Sequence, residues 1–168
     1  NVGAIEDAAA YSEISHAKHY ELMQLIGLDY GPSFQGFAFS RVHHRRLTGV
    51  LEIPESVKSD AADYLLHPAL LDACLQSLAG FFRADIESGQ GVPFLPVKVG
   101  RLRLFSTSVP AQFSAALRRQ GLRSILVDFE LRDADGHVVA ILDACRFRAA
   151  ATQRRANPEP ACWADRSL

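Results

Sequence analysis

The 168 residues are enough for one ordinary globular domain, and 48% are hydrophobic and 22% charged, which supplies the apolar side chains that a core needs. A formal net charge of −1 leaves no surplus of Lys and Arg for a phosphate backbone, which argues against nucleic acid as a partner. Apolar runs fall far short of the roughly 20 residues that a transmembrane helix requires, and there is no signal-peptide pattern.

Cysteine usage and the first residue carry information of their own. Cys74, Cys145 and Cys162 are an odd number without paired spacing, which is more typical of a reducing cytoplasm than of a disulfide scaffold. No zinc-binding pattern includes them, and no metal site is expected. The chain begins at Asn1 and its only methionine is Met23, so we expect it to be part of a longer protein.

The first predicted elements are a linker and a short helix. Residues 1–16 are mostly small and polar and predict a linker. From about His16 to Ile26 the apolar and aromatic residues recur at helical spacing, which predicts an amphipathic helix that ends at Gly27. His16 and His19 are both expected on the exposed side of this helix.

A loop and a pair of strands follow. Gly31 and Pro32 interrupt any regular element, so a shaped loop is expected there. Aromatic and β-branched residues over 37–43 and 47–53 predict two strands with a short connection, and a proline ends the second.

The next element is a helix that is apolar on most of its sides. Pro68 occupies the favoured first helical position, and residues 69–82 continue the pattern with no breaker before Gly80. Such a helix is expected to be wrapped by other structure. Its apolar residues are Leu70, Leu71, Ala73, Cys74, Leu75, Leu78 and Ala79.

The rest of the chain predicts strands. Val97, Val99, Leu102 and Leu104 belong to one strand or to two pieces bent at Gly100. Further strands are expected over 112–118, 124–131 and 137–148, the last with Val138, Ala140, Leu142, Ala144 and Arg146 on alternate positions after a turn at 133–136. Together these elements predict an α+β fold in which an antiparallel sheet wraps one central helix.

The C-terminal segment differs in composition from the rest. Residues 151–168 are rich in Gln, Arg, Asn, Pro and Glu, and predict a linker in which Trp163 is a candidate docking residue.

Asp72 is the most informative residue of the chain. It lies within the apolar helix, where an ionised carboxylate without a partner is costly. Burial is expected to raise its pKa, so that the carboxyl group can donate a proton near neutral pH. Gln76 lies one turn later on the same face, where its amide can bind the carboxyl group or a ligand. The alternative is that Asp72 only satisfies backbone donors of a neighbouring loop.

Other candidate residues lie in the loop at Gly31 and Pro32, in residues 92–96, and at His67 just before the helix. Gly31 would let the backbone approach a ligand, Tyr30 offers a phenol and Pro32 fixes the turn, although such a turn is more often structural. Residues 92–96 either line an apolar slot for an acyl chain or begin a core strand. His67 is expected either to cap the helix or to act in catalysis.

Three motifs, in this order and spacing, closely resemble the dehydratase domains of modular type I polyketide synthases. They are Tyr30-Gly31-Pro32-Ser33-Phe34-Gln35-Gly36, His67-Pro68-Ala69-Leu70-Leu71-Asp72-Ala73-Cys74-Leu75-Gln76 and Val92-Pro93-Phe94-Leu95-Pro96. The resemblance covers roughly residues 17–150. It implies the hotdog fold, an antiparallel sheet wrapped around a long helix, of which these dehydratases contain two in one chain.

The resemblance also implies a reaction. In the family a histidine removes the α-proton of a β-hydroxyacyl thioester and an aspartic acid protonates the departing hydroxyl, while the substrate is carried on the phosphopantetheine of an acyl carrier protein. No cofactor of the chain's own is implied. Asp72 matches the aspartic acid, and Gln76 matches the residue that positions it. The substrate-binding residues implied by the resemblance are Tyr30, Gly31, Pro32, Phe34, His67, Phe94 and Leu95.

The family's catalytic histidine has no counterpart in this sequence. It belongs to an upstream motif with Gly four residues later and Pro five beyond that, and no histidine here has this arrangement. We therefore expect the C-terminal hotdog half of a dehydratase, with a linker over 1–16, the hotdog over 17–150 and a second linker over 151–168, nearly inactive alone. Its expected partners are the acyl carrier protein, the N-terminal half that carries the histidine and, in a homodimer, a second copy.

Two alternatives from other classes remain open. The chain could be a non-catalytic hotdog binding or scaffold module, or a hotdog thioesterase or hydratase that completes its site across a homodimer. Retention of both Asp72 and Gln76 in an apolar helix argues against the scaffold, because unused buried polar groups cost stability.

Overall fold

The computed structural model describes residues 11–150, which form one antiparallel sheet and a set of helices. The α-helices are α1 (His16–Leu25), α2 (Pro68–Gln76) and α3 (Arg83–Glu87). The strands are β1 (Ser12–Ser15), β2 (Phe37–His43), β3 (Arg46–Leu51), β4 (Phe94–Lys98), β5 (Arg101–Leu104), β6 (Gln112–Gln120), β7 (Ser124–Arg132) and β8 (Val138–Ala149). Short 3-10 helices lie at Pro32–Phe34, Glu55–Val57, Ala61–Asp63 and Ser77–Phe82.

The strands follow the order β1-β2-β3-β6-β7-β8-β4, and β5 also pairs with β8. Strands β4 and β5 pair with successive parts of β8, since Phe94 lies opposite Ala149 and Leu104 lies opposite Ala140. The bend predicted at Gly100 thus separates two strands. The predicted α+β architecture, an antiparallel sheet with one central helical segment, is confirmed.

The central helical segment runs through α2, the 3-10 helix Ser77–Phe82 and α3 without a break. The His67 side chain begins it by accepting a hydrogen bond at Nδ1 from the Ala69 amide, at 3.1 Å, and Pro68 occupies the first turn. Its Leu70 and Cys74 side chains are fully buried in the core. The segment continues beyond the predicted end at Phe82 to Glu87.

Strand β1 lies within the predicted N-terminal linker, so that prediction is wrong for residues 12–15. They pair antiparallel with β2, from Ser12 opposite Val42 to Ser15 opposite Phe39. Only Ile14 of the four is buried. A strand with one inward apolar residue has almost no alternation of its own, and pairing with β2 is what orders it.

Strand β8 departs from the predicted alternation. The inward positions are Leu142 and then Cys145 and Phe147, because a bulge shifts the pattern after Leu142. Ala144 has a φ of 54°, and its amide donates to Asp128 Oδ1 at 2.8 Å. The predicted alternation, which placed Ala144 and Arg146 in one series with Leu142, is therefore wrong.

Gly49 of β3 lies where no side chain fits. A Cβ there would lie against the Phe113 ring and 2.5 Å from the Phe39 carbonyl oxygen. We expect Gly49→Ala to lower the free energy of unfolding by about 3 kcal/mol, measured by urea denaturation, because neither neighbour can withdraw cheaply. In the control variant Gly121→Ala the new Cβ would have its nearest neighbour at 3.4 Å, and we expect a change within about 0.5 kcal/mol. Equal stability of the two variants would contradict this packing.

Within residues 11–150 no helix has the length and apolar character needed to cross a membrane. The predicted C-terminal linker with Cys162 and Trp163 lies outside the described residues, as does Asn1.

Candidate active site

Helix α2 brings the carboxyl group of Asp72 and the amide of Gln76 into direct contact. They are one turn apart, and Gln76 Nε2 donates to Asp72 Oδ2 at 2.6 Å. The same nitrogen donates to the main-chain carbonyl of Phe34 at 3.0 Å. The Gln76 amide thus connects the carboxyl group to the loop between α1 and β2.

Burial raises the pKa of Asp72 above its ordinary value of 3.8, as the sequence indicated, while the hydrogen bond from Gln76 acts in the opposite direction. Desolvation is the larger cause because the carboxyl group faces an apolar surround. The group is half-buried rather than enclosed. It can therefore be protonated more readily than a surface carboxylate and still meet a ligand.

Asp72 opens into a narrow cleft between the helical elements and the sheet. Asp72, Gln76 and Tyr30 are its polar members. The apolar lining consists of Met23, Ile26, Leu28, Leu75, Leu78, Ala79, Phe82, Ile86, Val92, Phe94, Pro96 and Phe147. A carboxyl group at the wall of an apolar cleft is suited to proton transfer to a largely apolar ligand.

Two tyrosines complete the polar side of the site. Burial, with a smaller contribution from the charge of Asp72, raises the pKa of Tyr30 to about 12, so its phenol is a neutral hydrogen-bond donor at neutral pH. The hydroxyl of Tyr20 accepts from the Phe37 amide at 3.1 Å and donates to the Phe34 carbonyl at 3.3 Å. Tyr20 was not singled out in the sequence, and it holds the loop against α1.

The structure brings only some of the expected substrate-binding residues into the cleft. Tyr30 and Phe94 line it, whereas Gly31, Pro32 and His67 do not. His67 caps α2 and lies 3.6 Å from Asp60, so its position is that of a structural cap.

The remaining two expected residues also lie apart from the cleft lining. Phe34 contributes its main-chain carbonyl, and its ring is 43% exposed. Leu95 is exposed and points away from the cleft, on the opposite face of β4 from Phe94.

His19 is placed quite differently from the expectation. Its side chain is fully buried, stacked on Phe37 with ring centroids 3.9 Å apart, and its Nε2 lies 3.4 Å from Gln76 Oε1. The expectation of an exposed His19 is wrong. His19, Leu22, Met23 and Ile26 are all buried and follow the i, i+3, i+4, i+7 spacing of one helix face. That spacing is the signal in the sequence that indicates burial of His19.

One group of potential metal ligands lies among the described residues, and none of its members lines the cleft. Asp133, Asp135 and His137 occupy the turn between β7 and β8. Asp133 Oδ1 accepts from the amides of Asp135 at 3.0 Å and His137 at 2.9 Å. These contacts explain the cluster as the chemistry of a tight turn.

The family comparison covers most of the chain. A family model described as the polyketide synthase dehydratase N-terminal domain matches residues 4–157. Polyketide synthase PksN of Bacillus subtilis (strain 168) is 30% identical over 139 residues, which are 82% of this chain and 2% of PksN. The description of the model names an N-terminal domain, so the expected C-terminal placement receives no support from it.

Solved dehydratase structures match over the folded region. The dehydratase domain of a trans-AT polyketide synthase from Brevibacillus brevis matches with a TM-score of 0.77 and 28% identity, covering 83% of this chain and 49% of that one. Two inactive mutants of the CurK dehydratase also match, an Asp-to-Asn mutant with a TM-score of 0.70 and 27% identity and a His-to-Phe mutant with 0.71 and 29%. They cover 83% of this chain and 50% and 48% of theirs. The expected hotdog fold is confirmed, and the chain spans about half the length of these dehydratases.

Proposed function

This chain belongs to the polyketide synthase dehydratase family, and we propose that it is the second hotdog unit of such a dehydratase, with Asp72 as the general acid. The observation that carries the proposal is the Asp72 carboxyl group, raised in pKa, held by Gln76 at 2.6 Å and facing an apolar cleft. An inactive Asp-to-Asn mutant of the matching CurK dehydratase supports the choice of an aspartate.

The reaction we propose is the elimination of water from a β-hydroxyacyl thioester on the phosphopantetheine of an acyl carrier protein. A base removes the α-proton, the electron pair of that C–H bond forms the α,β double bond, and the β-hydroxyl leaves with the proton of Asp72 as water. The carboxylate that remains accepts the N–H of Gln76, which stabilises the negative charge as it develops. The product is an enoyl thioester.

The base is expected from outside the described residues. None of the residues that line the cleft within 11–150 is a histidine. His19 touches Gln76 but is fully buried and does not line the cleft. The inactive His-to-Phe mutant of CurK and the half-length coverage of these dehydratases support a base supplied by another hotdog unit. Alone, the chain should therefore dehydrate nothing at an appreciable rate, because the acid and the base each contribute about a hundredfold or more.

An exposed apolar surface marks where the other unit would sit. We define the β4–β5 surface by residues that are each at least 41% exposed: Leu95, Val97, Val99, Leu102, Leu104 and Phe105. Exposed apolar side chains gathered on edge strands are typical of an interaction site. We assign it to the hotdog half that carries the histidine, and without that half a second copy of the chain would cover it.

Reconstitution tests this function. The chain is mixed with the N-terminal hotdog half of a dehydratase and a β-hydroxyacyl carrier protein, and loss of water is followed by mass spectrometry. We expect dehydration only when both halves are present. Binding of the carrier protein without loss of water would instead favour the non-catalytic module.

Phe94 is expected to limit the length of the acyl chain. It stacks on Phe82 with ring centroids 4.9 Å apart, and both rings border the Asp72 cleft and a second cleft that has both polar and apolar lining residues. We expect Phe94→Ala to join the clefts and raise the kcat/KM ratio of long to short acyl substrates about tenfold, since a few buried methylenes are worth 1–3 kcal/mol. Leu95→Ala, on the opposite face, should leave the ratio unchanged, and an unchanged ratio in Phe94→Ala would contradict this boundary.

A further inference from the structure

His19 is a buried polar side chain that the dehydratase reaction as proposed above does not use. Its ring lies nearly parallel to that of Phe37, at 15°, and meets Tyr20 edge-on at 4.8 Å between centroids. An apolar ring would fill this space without the cost of burying two nitrogens. Its position next to Gln76 therefore calls for an explanation other than packing.

The surroundings of His19 select one tautomer. Within the described part of the chain Nδ1 has no hydrogen-bond partner, whereas Nε2 faces Gln76 Oε1 at 3.4 Å. A buried N–H without an acceptor costs more than a buried lone pair, so the proton belongs on Nε2. Burial lowers the pKa of His19 to about 4, although the hydrogen bond with Gln76 acts in the opposite direction; His16 makes a smaller contribution to the lowering, and the ring is neutral at physiological pH.

The same geometry fixes the orientation of the Gln76 amide. The Phe34 carbonyl can only accept, so the amide nitrogen must face it, and the same nitrogen then donates to Asp72 Oδ2. Oε1 is left pointing at His19. Turning the amide over would place two oxygens against each other at Phe34 and would remove the donor from Asp72.

We propose that His19 is a positioning residue, which donates from Nε2 to Gln76 Oε1 and so holds the amide in the orientation that donates to Asp72. The inference rests on the proposed role of Asp72 as general acid. His19 does not line the cleft and acts only through Gln76. A carboxylate formed by proton transfer then meets a donor that is already in place, and no reorganisation is needed during the reaction.

The first test follows Asp72 in the chain alone. Carboxyl ¹³C NMR titration is compared between the unmodified chain and His19→Phe, which keeps the stack on Phe37 but cannot donate. We expect a higher pKa of Asp72 in His19→Phe, since its carboxylate is less well solvated by Gln76. His19→Gln, which retains a donor at the position of Nε2, should return the pKa of Asp72 to its value in the unmodified chain. The Asp85 signal serves as the reference between variants.

Two results of this test would overturn the inference. One is an Asp72 titration that is the same in His19→Phe and the unmodified chain. The other needs no variant: imidazole ¹⁵N shifts that place the proton of His19 on Nδ1 between pH 6 and 8. Shifts that place it on Nε2 support the donor role even if His19→Phe fails to fold.

The second test uses dehydration by the reconstituted halves. We expect His19→Phe to lower kcat about 3- to 10-fold with KM unchanged, the range of one neutral hydrogen bond. In a Gln76→Ala background the same substitution should have no further effect, because its action passes through Gln76. If the reductions in kcat from His19→Phe and from Gln76→Ala multiply in the double variant, the inference is wrong. If the Asp72 titration shifts as expected while no variant dehydrates anything, positioning stands and the proposed dehydratase function fails.

Discussion

Asp72→Asn should reduce dehydration by the reconstituted halves by about 10²- to 10⁴-fold in kcat, while KM changes little. The amide keeps the size of the carboxyl group and its contact with Gln76 but cannot protonate the departing hydroxyl, and general acid catalysis typically supplies this range. The measurement is the rate of water loss from a β-hydroxyacyl carrier protein. Asp85→Asn is a matched control, since Asp85 lies on the same helical segment but does not line the Asp72 cleft.

The stability of the Asp72→Asn variant separates catalysis from folding. A raised pKa means that the folded state holds the Asp72 proton more tightly than the unfolded state. Its contribution to stability is present below the unfolded pKa and is lost as pH rises through the folded pKa. At neutral pH we expect a higher free energy of unfolding for Asp72→Asn than for the unmodified chain, because the amide carries no charge that burial would penalise. A variant that is both inactive and less stable would contradict the assignment of Asp72 to the site.

Acidification should destabilise the fold through His19. Its pKa is about 4 when folded against an ordinary 6.5, so the unfolded state takes up the proton at higher pH. The corresponding stability is fully present above pH 6.5 and is lost as pH falls to about 4, a loss of about 3 kcal/mol. The groups that face the ring are His16 and Tyr20 on its own helix, Phe37 on β2, and Gln76, which carries the link to Asp72.

Urea denaturation at pH 7, 5.5 and 4 measures this dependence. The raised pKa of Asp72 changes the free energy of unfolding with pH in the opposite direction. The pH dependence of each variant is therefore compared with that of the unmodified chain. We expect His19→Phe and His19→Gln to lose the same part of the acid destabilisation, because neither side chain titrates. Parallel pH curves for the unmodified chain and both variants would show that His19 is not held neutral by the fold.

Local pattern was sufficient to predict the central helix and its polar pair. Pro68 and the apolar surround defined the helix, and helical spacing alone placed Asp72 beside Gln76. The cleft could be predicted only in part. Phe94 and Leu95 are adjacent in sequence and both apolar, and only the pairing of β4 with β8 decides which of them faces the cleft.

The errors of prediction arose where a tertiary contact decides the local structure. The Ala144 amide donates to the carboxylate of Asp128 on the neighbouring strand, and the alternation of β8 shifts at this bulge. The sequence of β8 alone does not reveal this contact. His19 was placed on the surface because histidine is usually polar and accessible. Its burial follows from the stripe it shares with Leu22 and Met23 and from an acceptor 57 residues away on Gln76.

The Phe34 carbonyl is a main-chain contact of the site, so substitution of the Phe34 side chain does not remove it. It accepts from Gln76 and from Tyr20, yet any amino acid at position 34 would supply the same oxygen. Side-chain scanning at position 34 would therefore report only on a partly exposed ring and would miss the contact that joins the loop to α1 and α2. An amide-to-ester exchange of the bond that follows Phe34 would weaken this carbonyl as an acceptor, and it would also remove the Gln35 N–H, which donates to the Pro32 carbonyl at 3.2 Å. The loop can thus diverge in sequence between relatives while its contribution to the site persists in the main chain.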